Sequence, residues 1–164
     1  MWQIFVIIFH RRSDCVMIVE DVGEMDDNLT GNYLVRAGRW AFQEAHKWLP
    51  KTRERAELRR HALKLRYWPT GSAEAETGQL VDLDWSWIRA LSGYRIGELR
   101  IHDTIGGCDN LRIIFFDPRI PTEPLPMLWV LSVLQKKRDD FTKAQLANYR
   151  HRRLIVLERF YESL

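Results

Sequence analysis

Cysteine is scarce in this chain: Cys15 and Cys108 are the only two. Two thiols make neither a disulfide framework nor a cysteine metal site, and they fit a reducing cytosol. Positive charge is missing from two long stretches. No Lys or Arg lies between Ser13 and Val35, where Asp14, Glu20, Asp21, Glu24, Asp26 and Asp27 are acidic. None lies between Tyr67 and Ile88 either. The apolar run Trp2–Phe9 is too short to cross a bilayer, has no basic flank before it and is followed by His10-Arg11-Arg12. It therefore reads as a buried strand rather than a targeting signal, and no membrane partner is expected. Gly106-Gly107 lacks the lysine and hydroxyl of a phosphate loop. Ser86 and Ser132 have no evident base partner. Asp82 and Asp84 would share a strand face, but nothing around them suggests a metal, and they read as a polar loop. No metal and no cofactor is expected, and no catalytic motif of high specificity occurs.

The basic residues that remain are concentrated in two places, Lys51–Arg66 and Lys136–Arg159. Charge segregated this way suits a polyanionic partner on one face, although each run alone also fits a solvated helix. A length of 164 residues suits one domain spanning 1–164.

The chain predicts an α+β fold. Trp2–Phe9 and Val16–Val19 predict an N-terminal strand hairpin, followed by an acidic loop at Glu20–Asn28. Asn32–Leu49 predicts a helix, with Ala37, Ala41, Ala45 and Trp48 on one face, closed by Pro50. Lys51–Tyr67 predicts a second helix, with Leu58, Ala62 and Leu65 on one side. Together these make a helical hairpin covering one sheet face. Pro69–Gly78 reads as a loop, and Trp85–Ile88 with Leu91 as a short apolar turn.

Three strands follow: Gly97–His102, Leu111–Phe116 and Met127–Gln135. Gly106-Gly107 and Asp109-Asn110 provide the turn between the first two. Asp117–Pro126 holds four prolines and reads as an extended arm. The third strand is apolar at nearly every position, which marks it as central and covered on both faces. Phe141–Glu162 predicts a long final helix whose packing stripe is Leu146, Leu154, Leu157 and Tyr161.

Strand alternation puts Glu98, Arg100 and His102 on one face, and Arg112 on the side of Ile114 and Phe116. Pairing the two strands would bring Arg100 and Arg112 together, with Lys136, Lys137 and Arg138 at the end of the third strand. A guanidinium fork matches phosphate oxygens, so this array fits a phosphate clamp. The competing reading pairs Arg100 with Glu98 or another carboxylate at the sheet edge. His102, His151 and Tyr149 are candidates for proton transfer.

The register from Trp87 to Arg153 resembles the RelE/ParE superfamily of type II toxins, nearest the HigB branch. Ile96-Gly97-Glu98-Leu99-Arg100-Ile101 matches the family's first middle strand and Leu111-Arg112-Ile113-Ile114-Phe115 its second. Trp129–Lys137, ending Leu134-Gln135-Lys136-Lys137, matches the third, and Thr142–Arg153 the helix after it. The proline arm Asp117–Pro126 stands where the family has a tight turn. The chain also adds an N-terminal hairpin and lengthens the final helix. The resemblance implies a small antiparallel-rich sheet with the helical hairpin on one face, followed by the long C-terminal helix. It implies a cytoplasmic toxin with a cognate antitoxin of the helix-turn-helix kind. It further implies metal-independent, ribosome-dependent cleavage of mRNA, by attack of a ribose 2′-hydroxyl on the adjacent phosphate. On that resemblance Arg100, Arg112, His151 and Tyr149 are the catalytic candidates, and Lys136, Lys137, Arg138 and His102 the RNA-binding ones. The ParE branch, which inhibits DNA gyrase without cutting RNA, and a degenerate toxin that only binds a partner are the alternatives.

Overall fold

The computed structural model describes residues 20–21, 31–69 and 83–162. The predicted strands Trp2–Phe9 and Val16–Val19 lie outside these residues, as does most of the Pro69–Gly78 loop. The elements are β1 (Glu20–Asp21), β2 (Leu34–Ala37), α1 (Arg39–Trp48), α2 (Thr52–Leu63), β3 (Trp85–Trp87), β4 (Ile96–Arg100), β5 (Leu111–Phe116), β6 (Met127–Gln135) and α3 (Lys143–Phe160), with 3-10 turns at Lys64–Tyr67, after α2, and at Arg89–Tyr94. The sheet runs β1-β2-β6-β5-β4-β3, with β2 parallel to β6 and every other pair antiparallel. The fold is α+β, as predicted. No helix among the described residues is long and apolar enough to cross a membrane.

Three sequence expectations are corrected. Leu34–Ala37 is a strand, not the first turn of a helix, and α1 starts only at Arg39. Its residues pair with Met127–Val130, and that ladder outweighs the helical spacing of the alanines. Trp85–Trp87 is a strand at the sheet edge rather than a turn. Glu20–Asp21, placed in an acidic loop, pairs with Arg36 and Ala37.

β6 is central. Its residues Leu128–Leu134 are all buried, as its nearly continuous apolar sequence requires. One core lies under the helical hairpin, where Ala41, Ala45, Leu58, Ala62 and Leu65 meet Val35, Leu99, Ile113, Phe115, Leu128 and Val130. A second lies on the opposite face, where Tyr149, Val156 and Tyr161 meet Ile96, Ile114, Phe116, Trp129 and Leu131. Leu154, expected in that stripe, is exposed. Gly97 permits the close approach of β4 to the first core, since a Cβ there would sit 2.7 Å from the Phe115 ring.

β2 pairs with only the first part of β6, and the rest of the β6 edge is closed by side chains. A bulge sets Ile114 opposite Ser132 and Phe115 opposite Val130, leaving Leu131 as the extra residue. Glu44, on α1, accepts hydrogen bonds from Ser132 Oγ at 2.7 Å and Val133 N at 3.0 Å. Arg152, on α3, donates to Leu131 O and to Glu44 Oε1, each at 2.7 Å. Two charged side chains thus satisfy backbone groups that a longer β2 would have paired, and tie both helices to the central strand. α3 begins at a capping box, in which Gln145 N donates to Thr142 Oγ1 at 3.2 Å and Thr142 N to Gln145 Oε1 at 2.8 Å.

Replacing Arg152 by alanine leaves Glu44 without its counter-charge and the Leu131 carbonyl without its donor. The expected loss is about 2–3 kcal/mol in urea unfolding, and the double variant with Glu44→Ala should lose clearly less than the two single losses combined. Additive losses would show that the two side chains act independently.

Candidate phosphate-binding site

The register of β4 and β5 sets Arg100 directly opposite Arg112. Two like charges facing each other across a ladder repel, and a counter-charge must lie close. Glu98 supplies it. The carboxylate is almost fully buried, and three cations surround it. Arg100 Nη2 lies 3.6 Å from Oε1, Arg112 Nε 3.4 Å from Oε2 and Lys136 Nζ 3.6 Å from Oε2. Neither Glu98 Oε2 nor Arg112 Nε makes an aligned hydrogen bond, so their contact is ionic only. Burial pushes the Arg112 pKa down, while Glu98 pulls it up.

Lys136 is placed by an extension of the β5–β6 ladder, in which its N–H donates to Asn110 O at 3.0 Å. Its Nζ also lies 4.5 Å from the centre of the Phe141 ring. Arg100 reaches a second carboxylate, Asp84, at 3.3 Å, and Ser86 Oγ at 3.3 Å. Asp84 Oδ2 in turn lies 2.7 Å from His102 Nε2. The chain His102–Asp84–Arg100–Glu98–Arg112/Lys136 is therefore continuous across four strands.

Arg112, Lys136, Lys137, Arg138, Asn110 and Asp139 line a cleft of about 200 Å³ beside this cluster. Three cations against two carboxylates leave the cluster net positive, and Lys137 and Arg138 add to the charge at its mouth. The arrangement can bind a phosphate through forked donors and a lysine. It also holds an acceptor, Glu98 Oε2, whose hydrogen-bonding capacity is uncommitted.

The structure thus brings together Arg100, Arg112 and Lys136, with Lys137 and Arg138 exposed at the rim. Arg100 is paired with Glu98 and Asp84, as the competing reading expects, and it also stands opposite Arg112. His102 joins the cluster through Asp84. Two catalytic candidates do not join it. Tyr149 is buried beneath α3, its ring edge-on to Phe141, and burial raises its pKa to about 12. His151 follows two residues later, which on a helix is nearly the opposite side, and it is exposed to solvent. The sequence offered Glu98 only as an ion-pair partner of Arg100 and read Asp84 as part of a polar loop, and neither as a site residue. For Glu98 the signal was an acidic residue in phase with Arg100 within an otherwise apolar strand. For Asp84 it was only a position two residues before Ser86, which acquires meaning once Trp85–Trp87 pairs with β4. Among the described residues no three His, Cys, Asp or Glu side chains converge on a metal-sized site.

Comparisons with family models, with curated proteins and with solved structures returned no match.

Tyr149 generates a test of its burial. Its folded pKa stands above the ordinary value of 10.0, so the unfolded chain ionises first. Its stabilising contribution is full below pH 10 and is lost as pH rises towards about 12. Tyr149→Phe should flatten this part of the alkaline unfolding profile, at a cost of about 1 kcal/mol at neutral pH for the lost hydrogen bond between its hydroxyl and the Ser132 side chain. An unchanged profile would place Tyr149 in water.

Proposed function

We propose that the chain is an RNA-cleaving toxin of the RelE/HigB kind that acts on mRNA at the ribosome and is neutralised by a cognate antitoxin. The observation that supports this most directly is Glu98, a buried carboxylate with an uncommitted oxygen inside a ring of Arg100, Arg112 and Lys136. Cleavage of RNA by its own 2′-hydroxyl needs three things at one phosphate: fixed cations, a proton acceptor and a proton donor.

In this reading Arg112 and Lys136 turn towards a phosphate in the cleft they line, which opens Glu98 to the substrate. Glu98 Oε2 takes the 2′-hydroxyl proton, and the 2′-oxygen forms a bond to phosphorus. Arg100, Arg112 and Lys136 stabilise the charge on the non-bridging oxygens. The bond to the 5′-oxygen breaks, and that oxygen takes a proton from His102, which Asp84 orients. The products are a 2′,3′-cyclic phosphate and a 5′-hydroxyl. His151 and Tyr149 have no role here, because one faces solvent and the other is packed in the core.

Glu98→Gln separates this chemistry from simple support. It removes the base and one negative charge, so RNA binding should be retained or strengthened while cleavage falls at least about a hundredfold. A folded Glu98→Gln protein that still cuts at the wild-type rate would refute the role of Glu98. Arg100→Ala combined with Arg112→Ala should abolish growth arrest and transcript cleavage together. Growth arrest with intact transcripts and DNA damage would point instead to a gyrase inhibitor, and no toxicity at all to a protein that only binds a partner.

A further inference from the structure

A second cleft, of about 250 Å³, adjoins the first and shares Lys136, Lys137 and Arg138 with it. Its walls differ in chemistry. Trp48, Leu134 and Phe141 line it in place of Arg112 and Asn110. Trp48 ends α1 and packs against the core under the helical hairpin, whereas Phe141 precedes α3 and packs against the core on the opposite face. The two rings therefore come from opposite sides of the sheet and line one opening at the end of β6. Each already has a cation near its face, with Lys47 Nζ 5.5 Å from the Trp48 ring centre and Lys136 Nζ 4.5 Å from that of Phe141.

A cationic subsite next to an aromatic one matches the repeat of a single-stranded nucleic acid, in which a charged phosphate alternates with a flat, π-faced base. A duplex does not fit, because its bases are stacked on one another and unavailable to side chains. We propose that the Trp48–Phe141 cleft receives an unstacked nucleobase of single-stranded RNA, the neighbour of the phosphate held by Arg112 and Lys136. The inference rests on the RNA-cleaving reading above and adds a site to it. Trp48 and Phe141 stack on or flank the base, and the cations shared between the clefts hold the backbone on either side. Cleavage position is then set by the nucleotide that occupies this cleft rather than by the phosphate cluster, which every nucleotide satisfies equally.

Binding of the full chain to short, uncleavable 2′-O-methyl RNA oligonucleotides tests this, with a single abasic residue moved along the sequence. Wild-type protein should lose about tenfold in affinity when the abasic residue occupies one particular position. Trp48→Leu should bind intact and abasic oligonucleotides alike, Phe141→Leu should reduce the difference, and Trp48→Phe should keep part of it. Circular dichroism and unfolding midpoints establish that the variants are folded. Equal affinity of the wild type for every abasic oligonucleotide, or full discrimination by folded Trp48→Leu, would overturn the base site. If Lys136→Ala still weakens binding in that case, the phosphate reading survives without it. Failure of the wild type to bind any of the oligonucleotides, either free or seated in the decoding site of a ribosome, would overturn both.

Discussion

Arg100 and Arg112 face each other across a β-ladder, and Glu98 lies between them with Lys136 closing the ring. Burying a lone carboxylate costs several kcal/mol, so Glu98 is not stable there without the cations around it. A sheet seeking stability alone would use apolar side chains at these positions, because a packed hydrocarbon replaces a buried ion cluster with little loss and often a gain. The cluster is therefore costly for the fold, and costs of this kind gather where a protein binds or reacts. It also sits where the cleft opens, at the ends of β4, β5 and β6 and under the mouth formed by Lys137 and Arg138.

The rest of the fold holds that ring in place. β6 must be central to carry Lys136 to the carboxylate, yet β2 covers only part of its outer edge. Glu44 and Arg152 close the remainder from two helices, across the bulge at Leu131. At the other end of the sheet, β3 adds the strand that carries Asp84 into reach of Arg100 and His102. The pair of half-buried Arg95 with buried Asp117 anchors the proline arm where it leaves β5, the Arg95 Nε donating to Asp117 Oδ2 at 3.1 Å. The arm thus starts from a fixed point, and β6 enters the sheet parallel to β2.

Much of this was legible in the sequence, and what was not has a physical reason. The alternation in Gly97–His102 and Leu111–Phe116 put Arg100 and Arg112 on one face, and the turn glycines did the rest. Gly106 and Gly107 both take positive φ there, in the short bridge between Ile105 and Cys108. The unbroken apolar run of β6 announced a central strand. β2 and β3 were missed because four and three residues are too few for periodicity to speak, and only pairing makes them strands. Tyr149 was read as a possible catalytic residue because sequence gives the helix but not its rotation against the sheet. Glu98 was read only as an ion-pair partner of Arg100 at the sheet edge, because its burial shows only in the register and the packing.

The cleavage we propose for this cluster runs through the 2′-hydroxyl of the RNA itself. The most direct measurement maps cut sites and end groups on an mRNA translated by purified ribosomes, beside the same mRNA carrying one 2′-deoxy nucleotide at the cut site. The expected result is fragments with 2′,3′-cyclic phosphate and 5′-hydroxyl ends, and no cut at the deoxy position. Intact mRNA, fragments bearing 5′-phosphates, or equal cleavage of the deoxy substrate would contradict it.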